Sequence, residues 1–343
     1  MKKSMQAIVM TAVGGPEVLE LKSVPRPEIE DPHHILVRVM AAGVNPADLR
    51  VRKRMPPQTD WEMPANGIIL GLEGAGIVEA IGAEVSRFGV GDEVYYFDGG
   101  FPGSQGNYAQ FKVVNEHYVA RKPGKLSFAQ AAALPVVAIT GWEALQDRAS
   151  LAAGEYLLVQ GGAGGLGHIG IQLGKLFGAH VAATVSTDAK AEVALRAGAD
   201  HLILYRQEDV GAAVRSWTGK DGVNVIYDTV GDAVFSQSVD LLALHGRLVS
   251  AAYPTSWPKG DIFIPSIKNI HIAFEAMGHA LGDHEQRIVQ TRILEAVAKH
   301  VEDGDLTVFL SRMYPLAEAG EAHSALEEGE IMGRLALEIP HND

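Results

Sequence analysis

The stretch YLLVQGGAGGLGHI at residues 156–169 decides the fold of the middle of the chain. An apolar strand at 156–160 leads into Gly162-Ala163-Gly164-Gly165-Leu166-Gly167, which fits the pattern G-x-G-x-x-G and opens a helix at 168–177. Glycines at these positions let the chain turn tightly, bring backbone N–H groups close to a pyrophosphate and aim the helix N-terminus at the anion. The motif therefore predicts a dinucleotide-binding turn; an ordinary tight turn is the alternative, because glycine-rich turns are common.

This strand and helix belong to a longer alternation. The segments 181–185, 201–204, 223–227 and 246–250 are predicted to be further strands, with 246–250 as the last of the series, and 189–197 is predicted to be a second helix. Strands that alternate with helices pair in parallel through right-handed crossovers, and unbroken apolar runs suit strands covered on both faces. The middle of the chain is therefore predicted to be an α/β domain with a parallel sheet covered on both faces.

The two ends of the chain show a different pattern. Glycine and proline punctuate the first third densely, as they do between the short strands of a barrel or sandwich. The elements predicted outside the alternation are strands at 35–40 and 76–81, a turn that leads into a strand at 89–96, a helix at 128–145 broken or kinked at Pro135, an amphipathic helix at 287–300 and a last strand at 335–339. A length of 343 residues fits about two domains.

Composition excludes several classes of protein. The net charge of −13 disfavours a nucleic-acid binder held by phosphate contacts and a protein that docks on anionic membrane. The chain has no cysteine, which excludes disulfides, thiolate nucleophiles and zinc sites with sulfur ligands. Neither a signal peptide nor an apolar run of about 20 residues is present, so the sequence predicts a soluble cytoplasmic protein without membrane or nucleic-acid partners.

The end of the second strand of the alternation bears on which dinucleotide binds. An NAD site normally places Asp or Glu there to bind the ribose 2′-OH, but this chain has Ser186, with Lys190 four residues later. A neutral side chain and a cation favour the 2′-phosphate of NADPH, although Lys190 as a solvated helix residue is the alternative. Asp188 is expected to cap the helix that begins near Ala189.

Other polar residues allow both a structural and a functional interpretation. His279 and His284 stand five apart in a glycine-containing segment, which suits a metal poorly because ligands on one helix face prefer a spacing of four. The basic cluster of Arg50 and 52–54 is expected to be a solvated loop, with a substrate-facing residue as the alternative, and Trp61 to rim a cleft or pack a loop.

Asp228 ends a predicted strand at the edge where such sheets bind ligands. Its carboxylate is as well suited to accept backbone N–H groups of the next turn.

Several motifs in a fixed order make the whole chain resemble one family. They are 42–48 (AGVNPAD), 71–76 (GLEGAG), 90–94 (VGDEV), 106–109 (GNYA), 131–135 (AAALP) with Thr140-Gly141, 162–169, 228–231 (DTVG) and 246–248 (GRL). On these motifs the sequence resembles the ζ-crystallin-like quinone oxidoreductase group of the medium-chain dehydrogenase/reductase superfamily.

The resemblance implies a fold, a cofactor and a partner. The fold is α/β: a GroES-like β-rich catalytic domain of residues 1–127 with 277–343, and a doubly wound Rossmann domain of residues 128–276 that binds NADPH. It also implies a homodimer joined through the edges of the Rossmann sheets.

The resemblance further implies the roles of individual residues. Asn45 and Thr140 would lie near the nicotinamide and act in catalysis, while Lys190 and Tyr205 would contact the 2′-phosphate end. The full cofactor-binding set implied by the glycine motif and the resemblance is Asn45, Thr140, Gly162, Ala163, Gly164, Gly165, Leu166, Gly167, Ser186, Lys190, Tyr205, Val230, Gly231 and Arg334.

The chain departs from its zinc-dependent relatives. These use Cys at the position of Asn45 and His at the position of Leu72, so the sequence predicts no metal site and no stoichiometric zinc. The tyrosines that line the pocket of some quinone reductases are absent from 50–56, so water is expected to supply the final proton. The predicted activity is zinc-independent, NADPH-dependent reduction of quinones or other α,β-unsaturated carbonyls. Enoyl-thioester reduction and a non-catalytic NADPH-binding role are the alternatives.

Overall fold

Two units divide the chain in the computed structural model, which describes residues 4–53, 63–100, 105–219, 222–252, 254 and 266–341, with backbone alone at 233, 279 and 281. The terminal unit comprises Met1–Val136, Ala280–Gly304 and Val308–Asp343, and the central unit comprises Val137–His279 and Asp305–Thr307. No helix within these described ranges combines the length and apolarity that crossing a membrane requires.

The described strands, in chain order, are β1 Ser4–Met10, β2 Leu19–Pro25, β3 His34–Val44, β4 Ile68–Ile69, β5 Glu73–Ile81, β6 Glu93–Phe97, β7 Phe111–Asn115, β8 Val119–Arg121, β9 Tyr156–Gln160, β10 His180–Val185, β11 His201–Leu204, β12 Val223–Asp228, β13 Leu242–Ser250, β14 His271–Phe274, β15 Leu310–Pro315 and β16 Arg334–Glu338. The described α-helices are α1 Pro46–Lys53, α2 Phe128–Ala132, α3 Pro135–Trp142, α4 Gly165–Leu176, α5 Asp188–Arg196, α6 Val210–Thr218, α7 Asp232–Asp240, α8 His284–Asp303 and α9 Ala319–Glu327.

The central unit contains the predicted parallel sheet. Its strand order is β11-β10-β9-β12-β13-β14, and every pair of neighbours is parallel. The order runs outward in both directions from β9, which is the arrangement of a doubly wound fold with its ligand crevice at the carboxyl end of β9. The prediction that residues 246–250 form the last strand of this sheet is wrong, because β14 follows at its edge. The four residues of β14 are too few to show a hydrophobic periodicity in the sequence.

The terminal unit is built around the long strand β3. This strand pairs with β5, β7 and β16, so both ends of the chain contribute to one mixed sheet of order β15-β16-β3-β5-β6-β8. Its core packs Val39, Ala42 and Val44 of β3 with Leu335 and Leu337 of β16. A separate sheet orders β2-β1-β4.

Helix boundaries follow local chemistry. The helix expected at 128–145 is interrupted before Pro135, as predicted: α2 ends at Ala132, and proline opens α3 because it has no N–H to lose in a first turn. The expected cap at Asp188 is wrong. Thr187 precedes α5 in extended conformation and its hydroxyl accepts the N–H of Lys190, which leaves Asp188 in the first turn.

The central unit buries two carboxyl groups side by side. Glu143 and Glu275 are both almost inaccessible to solvent, with the Nε of Arg148 3.3 Å from Glu275 Oε2. Burial raises the pKa of Glu275 to about 8, with a further rise from contact with Glu143, while Arg148 acts in the opposite direction. The pair therefore holds a proton at neutral pH.

This pair predicts a pH-dependent loss of stability. Because the pKa of Glu275 is higher in the folded than in the unfolded state, folding favours the protonated form and stability falls as pH rises from about 5 to about 8. Between pH 5 and pH 8, the free energy of unfolding of Glu275→Gln should fall by on the order of 1–2 kcal/mol less than that of the wild type. This figure allows for a shift of the Glu275 carboxylate toward Arg148. Urea unfolding at pH 5.5 and 8.5 measures the difference, with the exposed Glu192→Gln as control. If the free energy of unfolding changes equally between the two pH values in all three proteins, the raised pKa of Glu275 is contradicted.

Candidate functional site

The glycine turn of the central unit leads from β9 into α4, as the motif predicts. A Cβ on Gly167 would lie 2.1 Å from the carbonyl oxygen of Gly161, and one on Gly162 would lie 2.6 Å from the Cβ of Ala183. Only glycine fits at these two positions. Gly164 is the N-cap of α4 and has no side chain to cover the first-turn N–H groups, so the turn fits a pyrophosphate.

A set of buried hydrogen bonds fixes the start of this turn. The side-chain carbonyl of Gln160 accepts the Thr184 hydroxyl at 2.7 Å, and the Thr184 oxygen in turn accepts the N–H of Gly161 at 3.0 Å. The Thr229 hydroxyl donates to the backbone carbonyl of Gln160 at 2.6 Å. The ends of β9, β10 and β12 are thereby held around the place where the anion would lie.

The residues expected at the adenosine end lie at the carboxyl edge of the same sheet. Ser186 directly follows β10 and is buried, and Lys190 is half-buried in the first turn of α5. Tyr205 follows β11, is 48% exposed, and its N–H donates to the carbonyl of Val185 at 3.2 Å. This bond brings the ends of β10 and β11 together, so Ser186 and Tyr205 follow adjacent strand ends, and Lys190 lies in the first turn of the helix after β10.

Asp228 has the structural role that the sequence suggested. Its Oδ1 accepts the N–H groups of Val230 and Gly231, both at 2.9 Å, and its Oδ2 accepts the Ser250 hydroxyl at 2.9 Å. The carboxylate therefore shapes the turn after β12. Val230 is left partly exposed on that turn, and Gly231 has a φ of 86° that favours glycine.

In the terminal unit, Asn45 belongs to a buried polar cluster that strand register creates. The β3–β16 pairing sets Leu335 against Val44, which brings Arg334 to Asn45, while β5 carries Glu73 to the same place. The side-chain amino group of Asn45 donates to Glu73 Oε1 at 2.8 Å, and its carbonyl accepts the Arg334 guanidinium at 2.8 Å. This cluster fixes the orientation of the Asn45 amide.

Arg334 is a buried ion-pair partner. Its guanidinium contacts Glu73 Oε1 and donates to the carbonyl of Ala133 at 2.8 Å, and Glu73 Oε2 accepts the N–H of Val136 at 2.7 Å. Burial raises the pKa of Glu73 above its ordinary value, although Arg334, Val136 and Asn45 act in the opposite direction. Gly43 leaves room for this carboxylate, since a Cβ there would lie 2.2 Å from Glu73 Oε1.

Asp48 was missed as a candidate by sequence reasoning. Its carboxylate accepts the N–H of Asn45 at 2.9 Å and of Gly71 at 3.2 Å. Burial raises the pKa of Asp48 to about 7 despite these donors, with a further rise from the nearby Glu73. The signal present in the sequence was an acid in the first turn after Asn-Pro, with Leu49 and Val51 as the apolar positions that follow. Asp48 is a group that can exchange a proton near neutral pH.

A second buried polar contact lies beside Asp48. The hydroxyl of Tyr108 is 3.1 Å from Nε2 of His323, and burial lowers the pKa of His323 to about 3. Burial raises the pKa of Tyr108 well above its ordinary value, and Asp48 adds to this rise. Both rings are therefore neutral across the physiological range.

The two residues expected at the nicotinamide belong to different units. Asn45 lies in the terminal unit, and Thr140 is a buried residue of α3 in the central unit. Leu72, at the second position where zinc relatives carry a ligand, is a buried apolar side chain of the terminal unit.

The basic cluster after Asn45 is mostly helical. Arg50, Arg52 and Lys53 lie in α1, so the expected loop is wrong for them, while Arg50 and Lys53 are exposed to solvent as expected. Arg52 is completely buried and pairs with Glu327, which also accepts Lys53 at 3.1 Å. This arginine is therefore structural. Arg54 and Trp61 lie outside the described residues, as does the side chain of His279.

Comparisons with known proteins agree with the two-part architecture. The family model described as alcohol dehydrogenase GroES-like domain matches residues 31–124, and the one described as zinc-binding dehydrogenase matches residues 165–291. A quinone oxidoreductase of Pseudomonas aeruginosa is 33% identical over 336 residues, covering 96% of this chain and 98% of that protein. A 2-methylene-furan-3-one reductase of Solanum lycopersicum is 37% identical over 235 residues, covering 66% of this chain and 57% of that protein.

A solved structure is similar over nearly the full length. The crystal structure of an alcohol dehydrogenase superfamily protein from Novosphingobium aromaticivorans has a TM-score of 0.88 and 32% identity, and the match covers 98% of this chain and all of that one. The parallel sheet of the central unit and the mixed sheet of the terminal unit are thus the Rossmann-like and GroES-like parts of a known architecture. With the glycine turn and the relatives together, the chain belongs to the quinone oxidoreductase group of the medium-chain dehydrogenase/reductase superfamily, and is an oxidoreductase enzyme that uses a nicotinamide cofactor and a small-molecule substrate.

Proposed function

We propose that the protein transfers hydride from NADPH to a quinone or another α,β-unsaturated carbonyl without a catalytic metal. The observation that carries this proposal is the residue set at the positions of the zinc ligands. Asn45 there is held by Glu73 and Arg334, and Leu72 is apolar, so a carbonyl would be met by an oriented amide in place of a Lewis acid.

The bound nicotinamide would supply the hydride, and the protein's residues bind and orient. First-turn N–H groups of α4 would hold the pyrophosphate, and Ser186, Lys190 and Tyr205 the 2′-phosphate end. Thr140 would position the nicotinamide ring. Asn45 has a second amide N–H beyond the one given to Glu73, and this donor would orient the ring or the substrate oxygen.

The substrate class is tested by a screen of acceptors. NADPH oxidation is followed with quinones, alkenals, enones and enoyl thioesters at matched concentrations. We expect turnover with quinones or enones and slower turnover with thioesters. Preference for thioesters would make the protein an enoyl-thioester reductase, and NADPH binding without turnover of any acceptor would favour a non-catalytic role.

A second candidate substrate within this class is a conjugated enone. This candidate is favoured by the similarity to the 2-methylene-furan-3-one reductase. The matched region covers only part of that protein. The same screen separates an enone from a quinone, because NADPH oxidation is measured with each acceptor in turn.

Hydride transfer is expected to depend on the Asn45 amide. Losing one orienting hydrogen bond should slow transfer in Asn45→Ala roughly tenfold or more. Stopped-flow kinetics with NADPH deuterated at C4 measures the transfer step where the isotope effect makes it visible. Since Asn45 also contacts Arg334, the stability of the variant is measured in parallel. An unchanged transfer rate in a folded variant would remove Asn45 from the mechanism.

Activity is expected to survive metal removal. The chain contains no cysteine, and the ligand positions of zinc relatives hold Asn45 and Leu72. Prolonged dialysis against EDTA should therefore leave NADPH oxidation within about twofold of the untreated enzyme. Loss of turnover that returns with one equivalent of zinc would overturn the prediction.

A further inference from the structure

A cluster of histidines and a glutamate lies at the end of β3 opposite to Asn45. The antiparallel pairing of β3 and β7 sets His34 against Asn115, so the next residues outward, His33 and Glu116, face each other. The N–H of Glu116 donates to the carbonyl of His33 at 3.0 Å and continues this pairing. Opposite residues of an antiparallel pair project to the same face, which brings the imidazole to the carboxylate.

The carboxylate of Glu116 is buried and oriented. Its Oε2 accepts the N–H groups of Ser86 at 3.0 Å and Arg87 at 2.8 Å. Its Oε1 lies 3.8 Å from Nδ1 of His33, whose side chain is 49% exposed. One oxygen is therefore fixed by the backbone, and the other faces the imidazole.

His117 completes the group. The side chain of Asn115 accepts the N–H of His117 at 2.9 Å and begins the short 3-10 turn Glu116–Tyr118, which turns the ring toward its neighbours. The centroid of the His117 ring is 6.2 Å from that of His33. One ligand atom from each of His33, Glu116 and His117 lies within 4.8 Å of the other two.

We propose that His33, Glu116 and His117 bind one divalent transition cation of the zinc type. Two imidazoles and one carboxylate are ligands that Zn²⁺ accepts, and water would take the fourth position. Tetrahedral ligands at about 2.0–2.1 Å from zinc stand about 3.4 Å apart, so the group must contract by roughly 1 Å, which the half-exposed His33 ring permits. The hydrogen bonds that orient Glu116 are the outer contacts such a ligand needs.

The charges around the group permit a cation. Arg87 donates to the carbonyl of Glu116 at 2.7 Å, but its guanidinium is paired with Glu295 at 2.5 Å. His284, whose ring centroid is 6.0 Å from that of His117, has its Nδ1 engaged by the Tyr118 hydroxyl at 2.8 Å. This site is independent of the proposed function, which needs no metal.

Calorimetric titration of tag-free, EDTA-treated protein with ZnCl₂ tests the proposal. We expect one Zn²⁺ per chain and, at an excess of about 100 times Kd, a rise in Tm of about 5 °C. His33→Gln and His117→Gln should each weaken binding at least about tenfold while leaving the Tm without zinc unchanged. The exposed His271→Gln of the central unit is the matched control and should bind as the wild type does.

Co²⁺ gives an independent readout, because its visible absorption reports a low-coordinate site. Absorption present in the wild type and absent from the double variant His33→Gln, His117→Gln would support the site. The proposal is overturned if zinc does not bind stoichiometrically, or if the double variant binds it with wild-type affinity.

Discussion

Replacing Arg334 by methionine is expected to destabilise the terminal unit by about 3–5 kcal/mol, the cost of breaking a buried ion pair by removing one partner. The guanidinium contacts Glu73, Asn45 and the carbonyl of Ala133, and all three acceptors would lose a buried donor. Methionine fills much of the same volume, so the loss is electrostatic rather than a cavity. Chemical unfolding followed by circular dichroism measures it.

The sign of the pH dependence distinguishes this explanation from a general packing defect. Without Arg334, the pKa of the buried Glu73 rises further, because the guanidinium holds it down in the wild type. A folded-state pKa above the unfolded value means that stability is retained at low pH and lost as pH rises. The variant should therefore be closer to the wild type at pH 5 than at pH 8.

Two further variants serve as controls. Arg312→Met replaces an exposed arginine of β15 and should cost less than about 1 kcal/mol. Glu73→Gln combined with Arg334→Met removes both charges and should recover part of the loss. A cost near that of Arg312→Met, or a loss that does not change with pH, would contradict the role assigned to Arg334.

Local patterns predicted the central unit well. Most strands of the parallel sheet are apolar segments that alternate with helices, and the glycine motif is contiguous, so strand, turn and helix are all present in residues 156–177. The role of Asp228 was also local, because a carboxylate commonly accepts N–H groups two and three residues ahead. Contacts of this range follow from sequence without knowledge of the fold.

The Asn45 cluster could not be predicted in the same way. Glu73 and Arg334 are 261 residues apart in sequence. They meet because β5 and β16 each pair with β3, and the register of each pairing brings the two side chains to the same place. Shifting either register by one residue would turn its side chains to the other face. The group of His33, Glu116 and His117 has the same origin, since the β3–β7 register joins two segments that carry no recognisable metal motif.

Capping and burial account for the remaining differences. Either Thr187 or Asp188 was chemically suited to cap α5, and the choice depended on which residue remained extended. Arg52 was expected to be solvated because its neighbours are basic, but its side chain is completely buried and pairs with Glu327. Whether a charged side chain is buried or solvated can be predicted only when its partner, distant in sequence, is known.

Lys190→Ala is expected to weaken NADPH binding roughly 10- to 150-fold and to leave NADH nearly unchanged. Ser186 at the end of β10 presents no carboxylate to repel a 2′-phosphate, and Lys190 is half-buried in the first turn of α5, which follows. Tyr205 directly follows β11, and its N–H donates to Val185 at the end of β10. A charge-assisted contact of this kind contributes on the order of 1.5–3 kcal/mol, which gives the range above.

Fluorescence titration of both cofactors against wild type and Lys190→Ala measures this selectivity. Lys175→Ala is the matched control, because Lys175 belongs to the same unit and already pairs with Asp200 at 2.7 Å. The wild-type preference for NADPH should also fall as salt rises, since the contact pairs two charges near the surface. Equal losses for NADPH and NADH would mean that Lys190 supports the fold of the site without reading the phosphate. A wild-type preference for NADH would reject the NADPH assignment altogether. It would mean that Ser186 binds the free ribose hydroxyl, the role that a carboxylate usually has.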